Sequence, residues 1–372
     1  MERIALIMGK MHSGGKKNLV MEYYRHIDKK KVQFDFICDD DSNAIPIKEI
    51  EDLGGRVYIV PHYQNIIANI RAIKKVCEEN QYKIVHAYNG TMNVFGLFAA
   101  WLARVPVRIN ESISMAHDLD KKTYIKKILK PFSSCFATHY MANGEACGAW
   151  QFGKLYDEGK VAIFKTVINV DENKYDLEMR NKCRKELNLE NNIVIGHIGR
   201  LTAQKNTLFI IDIFNEIVKI EDRARILIIG DGDLRNDMLD RIKKYDLEDK
   251  VVFLGRREDI KQFYNAMDCF LLPSLYEGLP VVGVEAESYG LPVFFSTEIS
   301  KESSPCDDLG TFIELNRGAT EWAKIIVEKV KNTERIDHRG DIKKAGFDSA
   351  IEAKKLLRYY EEIRNENFSN GC

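Results

Sequence analysis

The chain has 372 residues, 45% of them apolar and 30% charged, with 55 Lys and Arg against 56 Asp and Glu. At roughly 150 residues per domain this length calls for two domains, and no apolar run approaches the roughly 20 residues that would span a bilayer. The near-zero total conceals an asymmetry, +6 over residues 1–170 and −7 over the remainder, so the two halves face different electrostatic partners, with nucleic acid not among those expected.

The first half opens on MERIALIMGK, whose apolar part is too short for a secretory signal and reads as a buried strand at 3–8, with the cytoplasm as the expected location. Further strands are expected at VQFDFIC (32–38), RVYIV (56–60), KIVHAY (83–88), VRIN (107–110) and THYMA (138–142), with an amphipathic helix at 65–80. The stretch DKKTYIKKILKPF (120–132) sets Lys121, Lys122, Lys126, Lys127 and Lys130 among Tyr124, Ile125, Ile128, Leu129 and Phe132. It is either a solvated helix face or a basic amphipathic surface for an anionic membrane leaflet.

Residues 165–192 are polar and weakly periodic, as a linker followed by a short helix would be. The strand pattern restarts at 193–199 and returns at 225–231, 251–255, 269–273 and 292–296, separated by helices such as 207–220; a last amphipathic stretch at 349–365 has no strand after it. Alternation of this kind predicts α/β architecture with two doubly wound parallel sheets: residues 1–170, residues 171–348, and a terminal helix from 349 to 372. Such sheets bind ligands outside the carboxyl ends of their strands, so chemistry is expected in the turns that follow them and in a cleft between the domains. Eight cysteines lie scattered without a C-x-x-C pair or a histidine at ligand spacing, which argues against a zinc site and a disulfide framework, and no metal is expected.

Three turns carry the candidates. GRLTAQKN places Arg200 and Lys205 where a strand runs into a helix, a site for a phosphate or, equally, a pair of solvated loop charges. LIIGDGDLR lacks the full dinucleotide-binding glycine pattern; Gly230 and Gly232 permit a tight turn, and Asp233 is expected to cap the next helix. LGRRED sets Gly255, Arg256 and Arg257 against a ligand's flat base, or forms a basic turn capped by Glu258 and Asp259. YEGLPVVGVE then puts Glu277 in a loop, Pro280 at the first position of a short helix and Glu285 on its second turn, among apolar neighbours. A buried acid is costly without a partner, so the hydroxyls of a sugar nucleotide are the expected ones. His86 and His197 interrupt strands and read as buried structural histidines.

Taken together, Glu277-x7-Glu285, the GRLTAQKN turn, LIIGDGDLR and VVFLGRREDI with FYNAMDCFLLPS resemble the retaining glycosyltransferases of family 4. SGGKKNLVMEYYRHIDKKKVQFDFIC and KIVHAYNGTMNVFGLFAAWLARVPVRIN are similar to the capsule and exopolysaccharide subgroup. The resemblance implies the GT-B fold, two facing Rossmann-like domains with the last helix crossing back to the first. It implies Glu277 on the donor sugar, Glu285 on the ribose, Arg200 and Lys205 on the leaving diphosphate, and amides of Gly278 and Leu279 beside the phosphate. Gly14 and Gly15 approach the same diphosphate. It further implies a nucleotide diphosphate sugar, a UDP-sugar, as co-substrate, no other cofactor, no metal, and a glycan or lipid-linked acceptor. Where relatives carry an acid after the glycine pair this chain has Lys16 and Lys17, and where many carry a histidine-rich stretch it reads NESISMAH, leaving Glu111 or His117 for the acceptor side. The rival expectations are a catalytically silent sugar-nucleotide-binding partner of another transferase and a sugar-nucleotide epimerase or phosphorylase on the same fold.

Overall fold

The computed structural model describes residues 1–12, 14–115 and 123–369. The chain forms two compact units, one made of residues 1–167 and 348–372, the other of residues 168–347.

The first unit holds seven parallel strands, β1 (Glu2–Gly9), β2 (Val32–Asp39), β3 (Arg56–Val60), β4 (Ile84–Ala87), β5 (Val107–Ser112), β6 (His139–Ala142) and β7 (Val161–Ile163), in the order β3-β2-β1-β4-β5-β6-β7. Every residue of β2 is buried, because a parallel sheet is covered on both faces and its strands need no polar side. The helix Ser349–Ser369 packs on this unit, where Leu356, Tyr360 and Ile363 join the core built by β1, β2 and the helix Gly15–His26. Lys31 pairs with Glu361 at 3.0 Å, and Tyr360 meets Phe34 edge-on.

In the second unit, β8 (Ile193–Ile198), β9 (Ala224–Ile229), β10 (Val251–Phe253), β11 (Cys269–Leu272), β12 (Val293–Ser296) and β13 (Gly310–Ile313) are parallel in the order β10-β9-β8-β11-β12-β13. The turns after β8 and β9 touch: a Cβ on Gly230 would lie 1.8 Å from the Gly199 carbonyl oxygen, and φ of +145° suits only glycine there. The helix that follows, Arg235–Lys244, has Leu234 at its N-cap and no side-chain cap, so Asp233 does not play the part the sequence suggests.

β7 and β13 escape a reading of apolar runs because they are three and four residues long and only half-buried over most of their length. The passage between units falls at Val167 and Ile168 rather than after residue 170, since Ile168 and Val170 bury with Leu279, Val284 and Phe347 of the second unit. It falls again at Phe347 and Asp348, and the Ile168 N–H donates to the Phe347 carbonyl at 2.9 Å, so the two passages lie side by side. Among the described residues no helix is long and apolar enough to cross a membrane.

Candidate functional site

In the second unit the strand order reverses between β8 and β11, the place where an open α/β sheet leaves a crevice at its carboxyl edge. The turn after β8 carries Arg200, Gln204 and Lys205, and the loop after β11 carries Glu277. The two segments are tied by the Leu275 N–H on the Gln204 carbonyl at 2.8 Å. Gln204 also donates to the Tyr276 carbonyl at 3.2 Å and to Glu277 Oε2 at 3.3 Å, while Lys205 Nζ meets Glu277 Oε1 at 2.5 Å. Glu277 is 8% exposed, so its charge is tolerated through this pairing. Arg200 is exposed and, among the described residues, reaches only Gln204 Oε1, at 3.5 Å. Beneath the pair lies His197 on β8, whose ring bonds the Leu271 carbonyl through Nδ1 at 2.9 Å. Burial holds this imidazole neutral, with its pKa lowered to about 4.

The helix Val281–Ser288 follows, with Pro280 as its N-cap rather than its first helical residue, because ψ of 102° at Pro280 is still extended. Its first turn holds no acid and no side chain caps it, so the amides and dipole of that end stay uncommitted to a side-chain carboxylate. Gly278 and Leu279 lie in the loop before it, the Leu279 side chain in the core. Glu285 is only half-buried and accepts from Tyr264 at 2.8 Å. The fully buried acid of this helix is Glu287, contrary to the expectation for Glu285. It accepts from the Ser304 hydroxyl and from the Cys306 N–H at 3.0 Å, and burial pushes its carboxyl up to about 8. Residues two apart point about 200° from one another on a helix, so burying one face exposes the other.

Gly255 has a φ of +61° with open space where a Cβ would stand, and its carbonyl accepts from the Gly230 N–H at 2.8 Å. Arg256 is exposed, and Arg257 is taken by Asp259 at 2.6 Å. Asp259 thus closes the basic turn and also accepts from Gln262 at 2.6 Å, while the helix beyond, Lys261–Ala266, has no side-chain cap.

In the first unit the order reverses between β1 and β4. Gly14 and Gly15 open the helix Gly15–His26 with empty space on their Cβ sides. Lys16 turns inward from this start: Nζ donates to the Met8 carbonyl and to Asn89 Oδ1 at 2.8 Å. Gly9 clears the way, since a Cβ there would stand 2.2 Å from Asn89 Nδ2. Desolvation lowers the Lys16 pKa to about 8, only partly offset by Cys38 and Asp39. Glu111, at the end of β5, is buried and faces His86 Nε2 at 2.8 Å, and His86 Nδ1 in turn meets the hydroxyls of Tyr360 at 2.8 Å and Tyr88 at 3.1 Å. His86 therefore belongs to a polar network that the sequence reading left out, and Glu111 is engaged within the core.

His117, Lys121 and Lys122 lie outside the described residues. Lys126 reaches the Met115 carbonyl at 3.5 Å and Lys130 lies over the Trp150 ring, while Tyr124, Ile125, Ile128 and Phe132 on the same segment are 74%, 51%, 48% and 55% exposed. Of the residues expected in the second unit, Lys205 and Glu277 are brought together directly and Arg200 through Gln204. Sequence reasoning misses Gln204 and Tyr264, although they stand inside motifs already singled out, and takes Lys16 only as a departure from the family pattern; the contacts of all three exist only in the fold.

Residues 179–358 match the family Glycosyl transferases group 1. The chain is 29% identical over 380 residues to EpsF of Bacillus subtilis, which carries the name of a glycosyltransferase, with 96% of each chain covered. It is 28% identical over 306 residues, 76% of each chain, to the UDP-Gal:alpha-D-GlcNAc-diphosphoundecaprenol alpha-1,3-galactosyltransferase of Escherichia coli. The crystal structure of Anabaena Alr3699/HepE in complex with UDP-glucose matches it with a TM-score of 0.80 at 18% identity, over 96% of this chain and 99% of that one, a likeness of fold.

Proposed function

We propose that this chain, of GT-B fold and with residues 179–358 matching the family Glycosyl transferases group 1, is a transferase that moves a sugar from a UDP-sugar to a lipid-linked glycan in extracellular polysaccharide synthesis, with retention at the anomeric carbon. The observation that carries this reading is the Lys205–Glu277 pair at the strand reversal of the second unit. A lysine ammonium has three donors, so Lys205 can turn part of its hydrogen bonding to a diphosphate while Glu277 accepts from hydroxyls of the donor sugar. Arg200 adds a second cation, the loop before the uncapped helix Val281–Ser288 adds backbone amides at Gly278 and Leu279, and Glu285 beside Tyr264 takes the ribose hydroxyls. In the reaction the bond from the anomeric carbon to the phosphate oxygen breaks and a bond to the acceptor oxygen forms. The acceptor's proton passes to the departing phosphate. Lys205 and Arg200 stabilise the charge that gathers on that phosphate, a role that asks for no metal and no further cofactor.

The acceptor class follows the Escherichia coli relative, whose name specifies a diphosphoundecaprenol substrate. A lipid-linked acceptor gives a use to the exposed apolar side chains between Tyr124 and Phe132 and to Lys126, Lys127 and Lys130, which would hold the protein peripherally on an anionic leaflet. Incubating the pure protein with UDP-, GDP- and TDP-sugars, with and without a lipid-linked acceptor, tests the reading: UDP release that rises with acceptor is expected. Donor binding without release of nucleotide under any condition would replace the enzyme with a silent binding partner. Sedimentation with vesicles of anionic lipid, comparing the wild type with K126E/K127E/K130E, tests the membrane contact.

A further inference from the structure

Near the end of β8 the imidazole of His197 is wholly buried, yet only one of its nitrogens is satisfied. Nδ1 lies 2.9 Å from the Leu271 carbonyl, and a carbonyl only accepts, so Nδ1 carries the proton of the neutral ring and Nε2 holds a bare lone pair. Nε2 is buried and has no hydrogen-bond partner among the described residues. Gly199, two positions on, shows where that nitrogen stands. A Cβ built there would lie 3.2 Å from His197 Nε2 and 3.5 Å from Lys205 Cε, so the imidazole and the lysine border one space that glycine leaves open. The backbone of Gly199 is not in the left-handed region, so the space and not the conformation is what the missing side chain provides. Lys205 Nζ has Glu277 Oε1 as its one polar partner among the described residues, which leaves two of its three N–H bonds uncommitted. An acceptor that lacks a donor thus stands beside a donor with protons to spare.

We infer that His197 is a positioning residue for the sugar transfer proposed above, its Nε2 accepting a Lys205 N–H once a donor diphosphate draws the ammonium away from Glu277. The inference rests on that reading of the site. With the diphosphate on one N–H, Glu277 on the second and His197 on the third, every proton of Lys205 has a fixed partner, and the ammonium is held against the phosphate while Glu277 turns to the hydroxyls of the sugar. A neutral imidazole suits this part. It accepts a hydrogen bond without adding a second negative charge, so Lys205 keeps its attraction for the diphosphate, whereas a protonated ring would repel the ammonium. The Nδ1 bond fixes the ring to Leu271 on β11, the strand whose following loop carries Glu277, so the imidazole joins the two segments that build the site.

Two amides separate this role from one of merely bracing β11. Asparagine sets its amide where Nδ1 stands and glutamine where Nε2 stands, so His197→Asn keeps the bond to Leu271 and loses the acceptor, and His197→Gln does the reverse. His197→Asn should lower kcat by about 10- to 100-fold with the KM for the donor little changed, measured as UDP release, and His197→Gln should retain much of the activity. Gly199→Ala puts a methyl group into the shared space and leaves both side chains in place; it should resemble His197→Asn, and it carries the test if His197→Asn fails to fold. Nitrogen NMR of labelled imidazoles in the full chain reads the contact itself: UDP should shift the His197 Nε2 resonance to lower frequency, as a nitrogen that gains a hydrogen bond shifts, in the wild type and not in Lys205→Met. An active His197→Asn beside an impaired His197→Gln, a Gly199→Ala of normal turnover, or UDP bound by calorimetry without that shift would overturn this inference alone. UDP that does not bind at all would overturn the donor site and this inference with it.

Discussion

Each sheet reverses its strand order once, and each reversal holds an inward-turned lysine, but the two lysines live differently. In the second unit Lys205 is met by the carboxylate of Glu277 at 2.5 Å. In the first, Lys16 meets only neutral oxygens, the Met8 carbonyl and the Asn89 amide, and among the described residues no carboxylate stands at ion-pair distance. A buried cation with an acid beside it is stabilised before any ligand arrives. A buried cation without one keeps part of its desolvation cost, and an arriving phosphate would lower that cost. The same architecture thus holds one lysine whose charge is already neutralised and one without a carboxylate at ion-pair distance among the described residues, and the positive balance of residues 1–170 goes with the latter.

The largest test breaks the neutralised pair from the acid's side. Glu277→Ala should lower kcat about 1,000-fold, with Glu277→Gln retaining the fold but little of the activity, measured as UDP release; near-normal turnover in either would remove Glu277 from the reaction. From the other side, Lys205→Met leaves a buried carboxylate without its cation, held by the Gln204 amide, and should destabilise the protein by about 3 kcal/mol in urea unfolding. The double substitution Lys205→Met with Glu277→Gln should cost less than the two single changes summed. Strict additivity would mean that the pair is not coupled.

The contrast sharpens with pH. Lys16 has its pKa lowered to about 8 in the folded state, against 10.5 for the free side chain. Between those values the unfolded chain holds a proton that the folded one releases, so stability rises with pH across the window and the cost of burial is present in full below it. Relative to Lys16→Met, the wild type should therefore gain about 1–2 kcal/mol between pH 7.5 and 9.5. A flat difference would show that Lys16 is solvated. The smallest effect belongs to the exposed Arg200: Arg200→Ala should weaken UDP binding about five- to tenfold by calorimetry, roughly 1 kcal/mol, and unchanged affinity would leave Lys205 as the only side-chain cation on the phosphate.

Much of this was legible in the sequence, for identifiable reasons. β2 and β8 show as continuous apolar runs because both faces of a parallel sheet are covered, and Arg200, Lys205 and Glu277 could be placed because they stand just after strands. What was hidden is whatever depends on orientation. Glu285 and Glu287 sit two residues apart on one helix, and only the packing against the loop at Ser304 and Cys306 decides which is buried. Lys16 reads only as a departure from the family pattern until Asn89, 73 positions away, comes beside it. His86 looks like a lone core histidine until Glu111 and Tyr360 are seen on its two nitrogens.

The helix Ser349–Ser369 carries a consequence for the order in which the chain assembles. Its Tyr360 hydroxyl completes the contacts of His86, and its Leu356 and Ile363 fill the core around β1. The second unit is an insertion within the first, opened and closed at the adjacent Ile168 and Phe347. On the ribosome the first seven strands must therefore wait, with part of their core uncovered, while the whole of the inserted unit is made and is free to fold. Nascent chains halted just short of residue 349 should hold a protease-resistant second unit beside a first unit that is still cleaved.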